Sequence, residues 1–200
     1  MAVSGFSGAG KGTIMKKMLE KYPHYALSVS ATTRQPREGE QEGVDYFYKS
    51  EEEFQRMIEN EELLEYAGYV GHYYGTPKAY VEKMLESGRN VLLEIEVQGA
   101  LKVKEKNPDM LLAFVVAPSV EEIRNRLNGR GTESKQVIEE RMAQIKREVQ
   151  IIPKYDYLIV NEDVDRSVEV LNNIVESERC KVEKNREFIE KLEKEINGGK

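Results

Sequence analysis

The sequence predicts an α/β protein with a parallel sheet and helices on both of its faces. Short β-branched apolar runs, bounded by polar or turn residues, alternate along the chain with segments that carry a helical stripe of apolar side chains. Brief apolar runs are typical of strands buried on both faces, and their alternation with helices is typical of a parallel sheet. A glycine-rich segment also lies between the first predicted strand and the first predicted helix, where this class of fold binds phosphate.

The predicted elements follow in order. Five apolar runs indicate buried strands at residues 2–4, 26–30, 91–95, 111–117 and 157–160. Pro23 is expected to end the first helix, whose apolar face includes Ile14 and Met18. Two further helical stripes run through residues 138–149 and 164–175, and capping boxes are predicted for the pairs Ser50 with Glu53 and Ser119 with Glu122.

Composition excludes several classes of function. The chain has 200 residues and a net charge of −6, which disfavours a general nucleic-acid binder because such binding needs a basic face. Cys180 is the single cysteine, so neither a disulfide framework nor a cysteine zinc site is expected. No apolar run approaches the roughly 20 residues that span a membrane. We therefore expect a cytoplasmic protein without membrane or nucleic-acid partners.

Two stretches interrupt the regular alternation. Residues 32–76 are too long and polar for a simple crossover, and the aromatic cluster at residues 46–48 predicts small strands within them. A second, glycine-rich and charged insertion lies within residues 126–145. We expect one domain over residues 1–178, followed by a charged tail at 179–200. The tail belongs to a predicted helix over 176–196, which covers the edge of the domain or pairs with a second copy.

The glycine-rich segment has the composition of a phosphate-binding loop. Its glycines allow several backbone N–H groups to point at one anion, and the following helix adds a favourable dipole. Lys11 is placed to reach the β- and γ-phosphates of a nucleotide. The alternative is a glycine-rich turn with a chance lysine. The predicted ATP-binding residues here are Gly5, Phe6, Ser7, Gly8, Ala9, Gly10, Lys11, Gly12 and Thr13.

A magnesium ion is expected together with the nucleotide. Many phosphate loops place Ser or Thr directly after the lysine to hold this ion, but Gly12 stands there, and Thr13 follows one place later. We expect no direct protein ligand, with nucleotide oxygens and waters around the metal. Glu94 or Glu96, at the end of a predicted strand, could act through water or simply mark where that strand leaves the core.

Beyond the loop, the sequence resembles the guanylate kinases up to about residue 178. The similarity runs in order through residues 28–40, 43–47, 62–66, 73–76, 93–99, 126–132 and 159–161. It implies a P-loop NTPase-like fold with a small GMP-binding lobe and a lid. The implied reaction moves the γ-phosphoryl group of ATP·Mg²⁺ to GMP, by a monomer or a homodimer. An inactive guanylate kinase-like binding module and a kinase for another monophosphate are the alternatives.

The resemblance also implies how GMP is bound. A single carboxylate, Glu65, would accept from guanine N1–H and N2–H, although an acidic segment would otherwise indicate a solvated face. Thr76 is also a natural N-cap, since Pro77 follows it. Arginine forks suit a phosphate dianion. The implied GMP-binding residues are Ser30, Arg34, Arg37, Tyr46, Glu65, Tyr74, Thr76 and Glu96.

On the ATP side, the resemblance implies a lid whose arginines close onto the phosphates. Arg126, Arg130 and Asn161 are the further ATP-binding residues implied, although Asn161 could equally be an ordinary loop residue. The implied catalytic residues are Lys11, Arg34, Arg130 and Arg141. The chain departs from the family at two positions, with Phe6 where proline is usual and Glu96 where aspartate is typical. Its first strand is also short, because only Ala2 and Val3 precede the loop motif.

Overall fold

The computed structural model describes residues 1–69, 71–129 and 135–198, and their strands form two sheets. The larger sheet is parallel, in the order β2-β7-β1-β8-β9, and the smaller is mixed, in the order β4-β3-β6-β5. In chain order the strands are β1 (Ala2–Gly5), β2 (Tyr25–Leu27), β3 (Ser30–Thr32), β4 (Tyr46–Tyr48), β5 (Leu63–Tyr69), β6 (His72–Pro77), β7 (Asn90–Glu94), β8 (Leu112–Val116) and β9 (Tyr157–Val160).

Helices connect and cover these strands. The predicted capping box is confirmed at α2, where Ser50 Oγ accepts the Glu53 N–H at 3.1 Å and the Glu53 carboxylate accepts the Ser50 N–H at 2.7 Å. At Ser119 the hydroxyl accepts the Glu122 N–H, whereas the Glu122 carboxylate pairs with Arg126. The α-helices are α1 (Lys11–Lys21), α2 (Glu51–Glu59), α3 (Lys78–Glu86), α4 (Val97–Lys106), α5 (Val120–Gly129), α6 (Lys135–Glu148), α7 (Val164–Arg179) and α8 (Arg186–Ile196).

The larger sheet buries both of its faces, as the apolar runs predict. Successive residues of a strand point to opposite faces. Val3 and Leu92 belong to one apolar cluster with side chains of α1 and α7, whereas Ala2 and Leu93 belong to another with side chains of α3 and α4. The predicted parallel sheet with helices on both faces is therefore confirmed.

The strand order determines where a ligand can bind. From β1 the chain builds β2 and β7 on one side of this strand, and later β8 and β9 on the other. Connections therefore leave the carboxyl end of β1 and of its neighbours in opposite directions, which opens a crevice there. The loop after β1 and the carboxylates at the end of β7 lie at this edge.

The predicted strand at residues 26–30 is wrong as a single element. Strand β2 ends at Leu27, the Ser28 N–H bonds to the Leu92 carbonyl, and the chain then enters the smaller sheet as β3. Both sheets bury apolar residues, so the hydrophobic run continues across the point where the chain changes sheets. The aromatic cluster at residues 46–48 does form a strand, β4, as predicted.

The helix predicted over residues 176–196 is also wrong as one element. Helix α7 ends at Arg179, a 3-10 turn occupies Val182–Lys184, and α8 begins at Arg186. The Asn185 side chain donates to the Arg179 and Lys181 carbonyls, both at 2.8 Å. These two bonds satisfy carbonyls where the helix stops and so stabilise the break.

Candidate functional site

The loop between β1 and α1 is held from behind by polar side chains. The buried Asn161 side chain donates to the Ala9 carbonyl at 2.7 Å, and Arg126 Nη1 reaches the same carbonyl at 3.4 Å. Gly10 has a φ of 88°, and a Cβ added there would lie 2.5 Å from Asn161 Nδ2. This position therefore requires glycine for both its backbone conformation and its close packing.

Asn161 and Arg126, two of the predicted ATP-binding residues, are themselves fixed. Asn161 Oδ1 accepts the Ser167 hydroxyl at 3.1 Å, and Arg126 bonds to Glu122 and to the Asn161 carbonyl. Only 1% of Asn161 is exposed, and its bonds go to protein groups. Asn161 therefore supports the loop through its bond to the Ala9 carbonyl.

Two cationic side chains bond to groups of the loop. Lys11 Nζ donates to the Gly5 carbonyl at 2.6 Å, and Arg141 of α6 donates to Ser7 Oγ. The Phe6 ring, where the family usually has proline, is buried and meets the Phe114 ring edge to face at 5.1 Å. Phe6 thus anchors the loop to the core through its side chain, and its backbone N–H bonds to the Val115 carbonyl at 3.3 Å.

A cavity of about 240 Å³ lies between the two sheets. It brings together five of the predicted GMP-binding residues and both candidates for water-mediated metal binding, with Glu96 belonging to both groups. Ala67, Gly75 and Ile95 complete the wall, and the sequence analysis had not singled them out. The lining residues are Ser30, Tyr46, Glu65, Ala67, Tyr74, Gly75, Glu94, Ile95 and Glu96.

Glu65 is the buried carboxylate of this cavity. Its Oε1 accepts the Thr76 hydroxyl at 2.8 Å, and burial raises the pKa of its carboxyl group against the opposing effect of that bond. A Cβ added to Gly99 of α4 would lie 2.5 Å from Glu65 Oε2, so the helix makes room for the carboxylate by lacking a side chain. The N-cap interpretation of Thr76 is wrong: Pro77 is the N-cap of α3, and the Thr76 hydroxyl is committed to Glu65.

The two predicted phosphate-binding arginines lie on the segment between β3 and β4. Arg34 Nη2 pairs with Glu40 Oε1 at 2.8 Å, and its guanidinium carbon lies 5.2 Å from the centre of the Tyr46 ring. This pairing raises the pKa of Arg34 and lowers that of Glu40 to about 2. The Arg37 side chain is exposed, while its backbone N–H donates to Glu40.

Burial destabilises the charged form of three carboxyl groups near the site. Burial raises the pKa of Glu65, Glu94 and Glu148, and the positive charge of Lys11 opposes this effect at the latter two. Glu148, at the end of α6, was not predicted; it is 7% exposed and accepts the Gln144 side-chain amide at 2.9 Å. The site therefore holds several carboxylates whose charge favours a bound cation or hydrogen-bond donors.

Sequence reasoning missed Gly99 and Glu148 for different reasons. Glycine inside a helix costs about 1 kcal/mol relative to alanine, so Gly99 within α4 was a detectable anomaly. Glu148 carries no such signal, because a glutamate at the end of an amphipathic helix is ordinary. Arg130, predicted to be catalytic, lies outside the described residues.

Within residues 1–69, 71–129 and 135–198, no group of three or more His, Cys, Asp or Glu side chains is arranged to hold a metal ion. No helix in these ranges is long and apolar enough to cross a membrane.

Comparison with known proteins agrees with this geometry. Residues 1–178 match the family model described as guanylate kinase. The chain is 51% identical over 195 residues to a guanylate kinase of Caldanaerobacter subterraneus subsp. tengcongensis, covering 98% of this chain and 95% of the relative. It is 47% identical over 200 residues to one of Bacillus cereus, covering 100% and 96%. The solved structure of guanylate kinase from Anaplasma phagocytophilum shares 34% identity and a TM-score of 0.72, covering 90% of this chain and 86% of that one. By both sequence and fold, this chain belongs to the guanylate kinase family.

Proposed function

We propose that this protein transfers the terminal phosphoryl group of ATP to the phosphate of GMP, giving ADP and GDP. The observation that carries the proposal is a cavity lined both by the buried carboxylate of Glu65 and by Glu94, which lies close to Lys11. Burial raises the pKa of Glu94, and Lys11 is close enough for its charge to oppose that rise. Donor and acceptor phosphates can therefore meet at the carboxyl edge of the larger sheet.

The cavity supports guanine as the acceptor base. An ionised Glu65 has oxygens that suit the adjacent N1–H and N2–H of guanine, and its bond from Thr76 fixes the orientation of the carboxylate. Adenine presents no such pair of donors, and its amine stands where guanine carries O6. Ser30 lines the same cavity and can donate to an acceptor such as O6. A kinase for AMP or UMP would not need this carboxylate.

Transfer itself needs positioning and positive charge more than covalent chemistry. The acceptor is already an anionic phosphate oxygen, so no protein nucleophile is required. Lys11, Arg34 and Arg141 would stabilise the charge that spreads over the transferring oxygens, and Arg130 is proposed to join them from the lid. Arg141 already contacts the phosphate loop through Ser7.

Mg²⁺ is proposed to arrive with ATP, and the residues present fit that role. Gly12 offers no ligand, and a Cβ added there would meet no atom within 4 Å, which leaves space beside the loop. The oxygen donors of Glu94 and Glu96 lie in the same cavity and suit magnesium-bound water. When bound, the ion would neutralise charge on the β- and γ-phosphates.

A coupled assay of ADP release tests the proposal. The purified protein is given ATP·Mg²⁺ with GMP, AMP, CMP or UMP, and we expect turnover with GMP to exceed the others by at least about 100-fold. Absence of turnover together with measurable GMP binding would instead favour an inactive binding module. A cytoplasmic location and a monomeric or homodimeric state accompany the proposal as predictions from the sequence.

A further inference from the structure

One carboxylate ties together the segment that carries both predicted phosphate-binding arginines. Glu40 Oε1 accepts from Arg34 Nη2 at 2.8 Å. Its Oε2 accepts the Arg37 backbone N–H at 2.7 Å and the Tyr48 hydroxyl at 2.9 Å. The side chains of Arg34 and Glu40 are only 12% and 19% exposed, so this network is largely shielded from water. Glu40 thus connects the side chain of Arg34, the backbone at Arg37 and the strand β4, which carries Tyr48.

The negative charge of Glu40 is unfavourable for the electrostatic attraction of a phosphate. Arg34 and Arg37 attract a dianion, whereas Glu40 places a negative charge among them and reduces the local charge from two positive to one. Its pKa of about 2 means that this charge is present throughout the neutral range. A site optimised for attraction alone would omit the glutamate. Its benefit must therefore be geometric.

We propose that Glu40 is a positioning residue for the acceptor phosphate, holding the Arg34 guanidinium in its binding orientation before the substrate arrives. This proposal rests on the proposed GMP kinase activity. Arg34 is restrained on several sides, since Nη1 donates to the Gln35 carbonyl at 2.7 Å and the guanidinium lies over the Tyr46 ring. A guanidinium has five N–H donors, so these bonds leave others for a phosphate. An arginine already ordered loses less conformational freedom when it binds.

The variant Glu40→Gln separates positioning from simple charge, because the two roles predict opposite results. If Glu40 only neutralises Arg34, its removal strengthens attraction and the KM for GMP falls. If Glu40 positions Arg34, the amide cannot accept from all three donors, and the KM for GMP rises. We expect a rise of about tenfold or more, while the KM for ATP stays within about twofold, because one charged bond and the order of the loop are lost.

Two further variants make the comparison specific. Tyr48→Phe keeps the carboxylate and removes one of its three donors, so we expect a smaller rise in the KM for GMP, about two- to fivefold. Glu38→Gln is the matched control, since Glu38 is an exposed carboxylate on the same loop and we expect less than a twofold change. Thermal unfolding of each variant verifies that it is folded at the assay temperature. If Glu40→Gln is unfolded there, Tyr48→Phe decides the matter.

Calorimetric binding of GMP and guanosine completes the test. A positioning role for the phosphate predicts that Glu40→Gln weakens GMP binding but leaves guanosine binding unchanged, because guanosine has no phosphate for Arg34 to hold. Equal weakening of both ligands, or an unchanged or lower KM for GMP in an active Glu40→Gln enzyme, would overturn the inference about Glu40. Failure of the wild-type protein to phosphorylate GMP would instead refute the proposed function, so the two failures are distinguishable.

Discussion

Replacing Gly99 with alanine should damage recognition of GMP without destabilising the protein. Gly99 lies in α4 and faces the buried carboxylate of Glu65. The new methyl group would lie 2.5 Å from Glu65 Oε2, whereas an ordinary contact requires at least 3.4 Å. The carboxylate must therefore retreat by about 0.9 Å, since the helix backbone is less free to move than a side chain.

The size of the effect follows from what that carboxylate holds. A shift of this size stretches the 2.8 Å bond from Thr76 and misaligns the two bonds proposed for guanine. A hydrogen bond to a charged group contributes about 1.5–3 kcal/mol, and misalignment loses part of each guanine bond. We expect kcat/KM for GMP to fall by roughly 10- to 100-fold, mostly through KM.

Stability should move in the opposite direction. Alanine is favoured over glycine inside a helix by about 1 kcal/mol, and that gain opposes the cost of the new contact. We therefore expect the free energy of unfolding of Gly99→Ala to equal or exceed that of the wild type. Activity and stability then change independently, which a general loss of folding could not produce.

The experiment combines steady-state kinetics with chemical denaturation. Glu105→Ala, on an exposed position of the same helix, is the control, and we expect its kcat/KM to remain within about twofold of the wild type. If Gly99→Ala retained wild-type kcat/KM for GMP, the carboxylate of Glu65 would not be held where guanine binds. If activity and stability fell together, the methyl group would have disturbed the core instead.

Four further predictions concern the same site. Glu65→Gln places an amide donor against a guanine donor and should lower kcat/KM for GMP about 30- to 1,000-fold. The loss should be smaller for IMP, which lacks the N2 amine, and equal losses for the two nucleotides would contradict the proposed recognition of guanine by Glu65. Because burial raises the pKa of Glu65, its protonated form is favoured in the fold, so kcat/KM for GMP should decline at a higher pH on acidification than an ordinary glutamate would cause. The stability that protonated Glu65 contributes to the fold at low pH is lost as the pH rises through its raised pKa. Glu65→Gln at pH 7 should therefore unfold at the same or a higher denaturant concentration than the wild type. Lys11→Ala should lower kcat by at least about 100-fold, while GMP binding measured by calorimetry persists. Lys16→Ala is the control, since Lys16 is exposed on the same helix. Near-normal turnover of Lys11→Ala would count against the proposed kinase mechanism.

Local sequence patterns predicted the structure correctly where one short segment determines it. The strand at Tyr157–Val160 has the predicted bounds, and the Ser50–Glu53 capping box forms as predicted. Each depends on residues within a few positions of one another. The phosphate loop is similar, because its glycine spacing, its lysine and the strand before it are all local.

Two of the errors occurred where a distant segment decides, whereas the break in the helix predicted over residues 176–196 is stabilised locally by Asn185. The apolar run at residues 26–30 contains no mark of the change from one sheet to the other, since burial by either sheet requires the same residue types. Thr76 satisfies the local preference for an N-cap, yet its hydroxyl bonds to Glu65, eleven residues earlier. A hydrogen bond across a sheet can thus override a helix-end preference that is worth about 1 kcal/mol.

By itself, the sequence determined the class of fold, the phosphate loop and the family, because these depend on residue order and local spacing. Only the tertiary structure decided how the site is supported. It joined Glu40 to two arginines, placed Gly99 against Glu65, and put Asn161 behind the loop. These contacts link segments that are distant in the chain or hidden within a charged loop. Their formation depends on side-chain packing in three dimensions, which residue types and spacing alone do not specify.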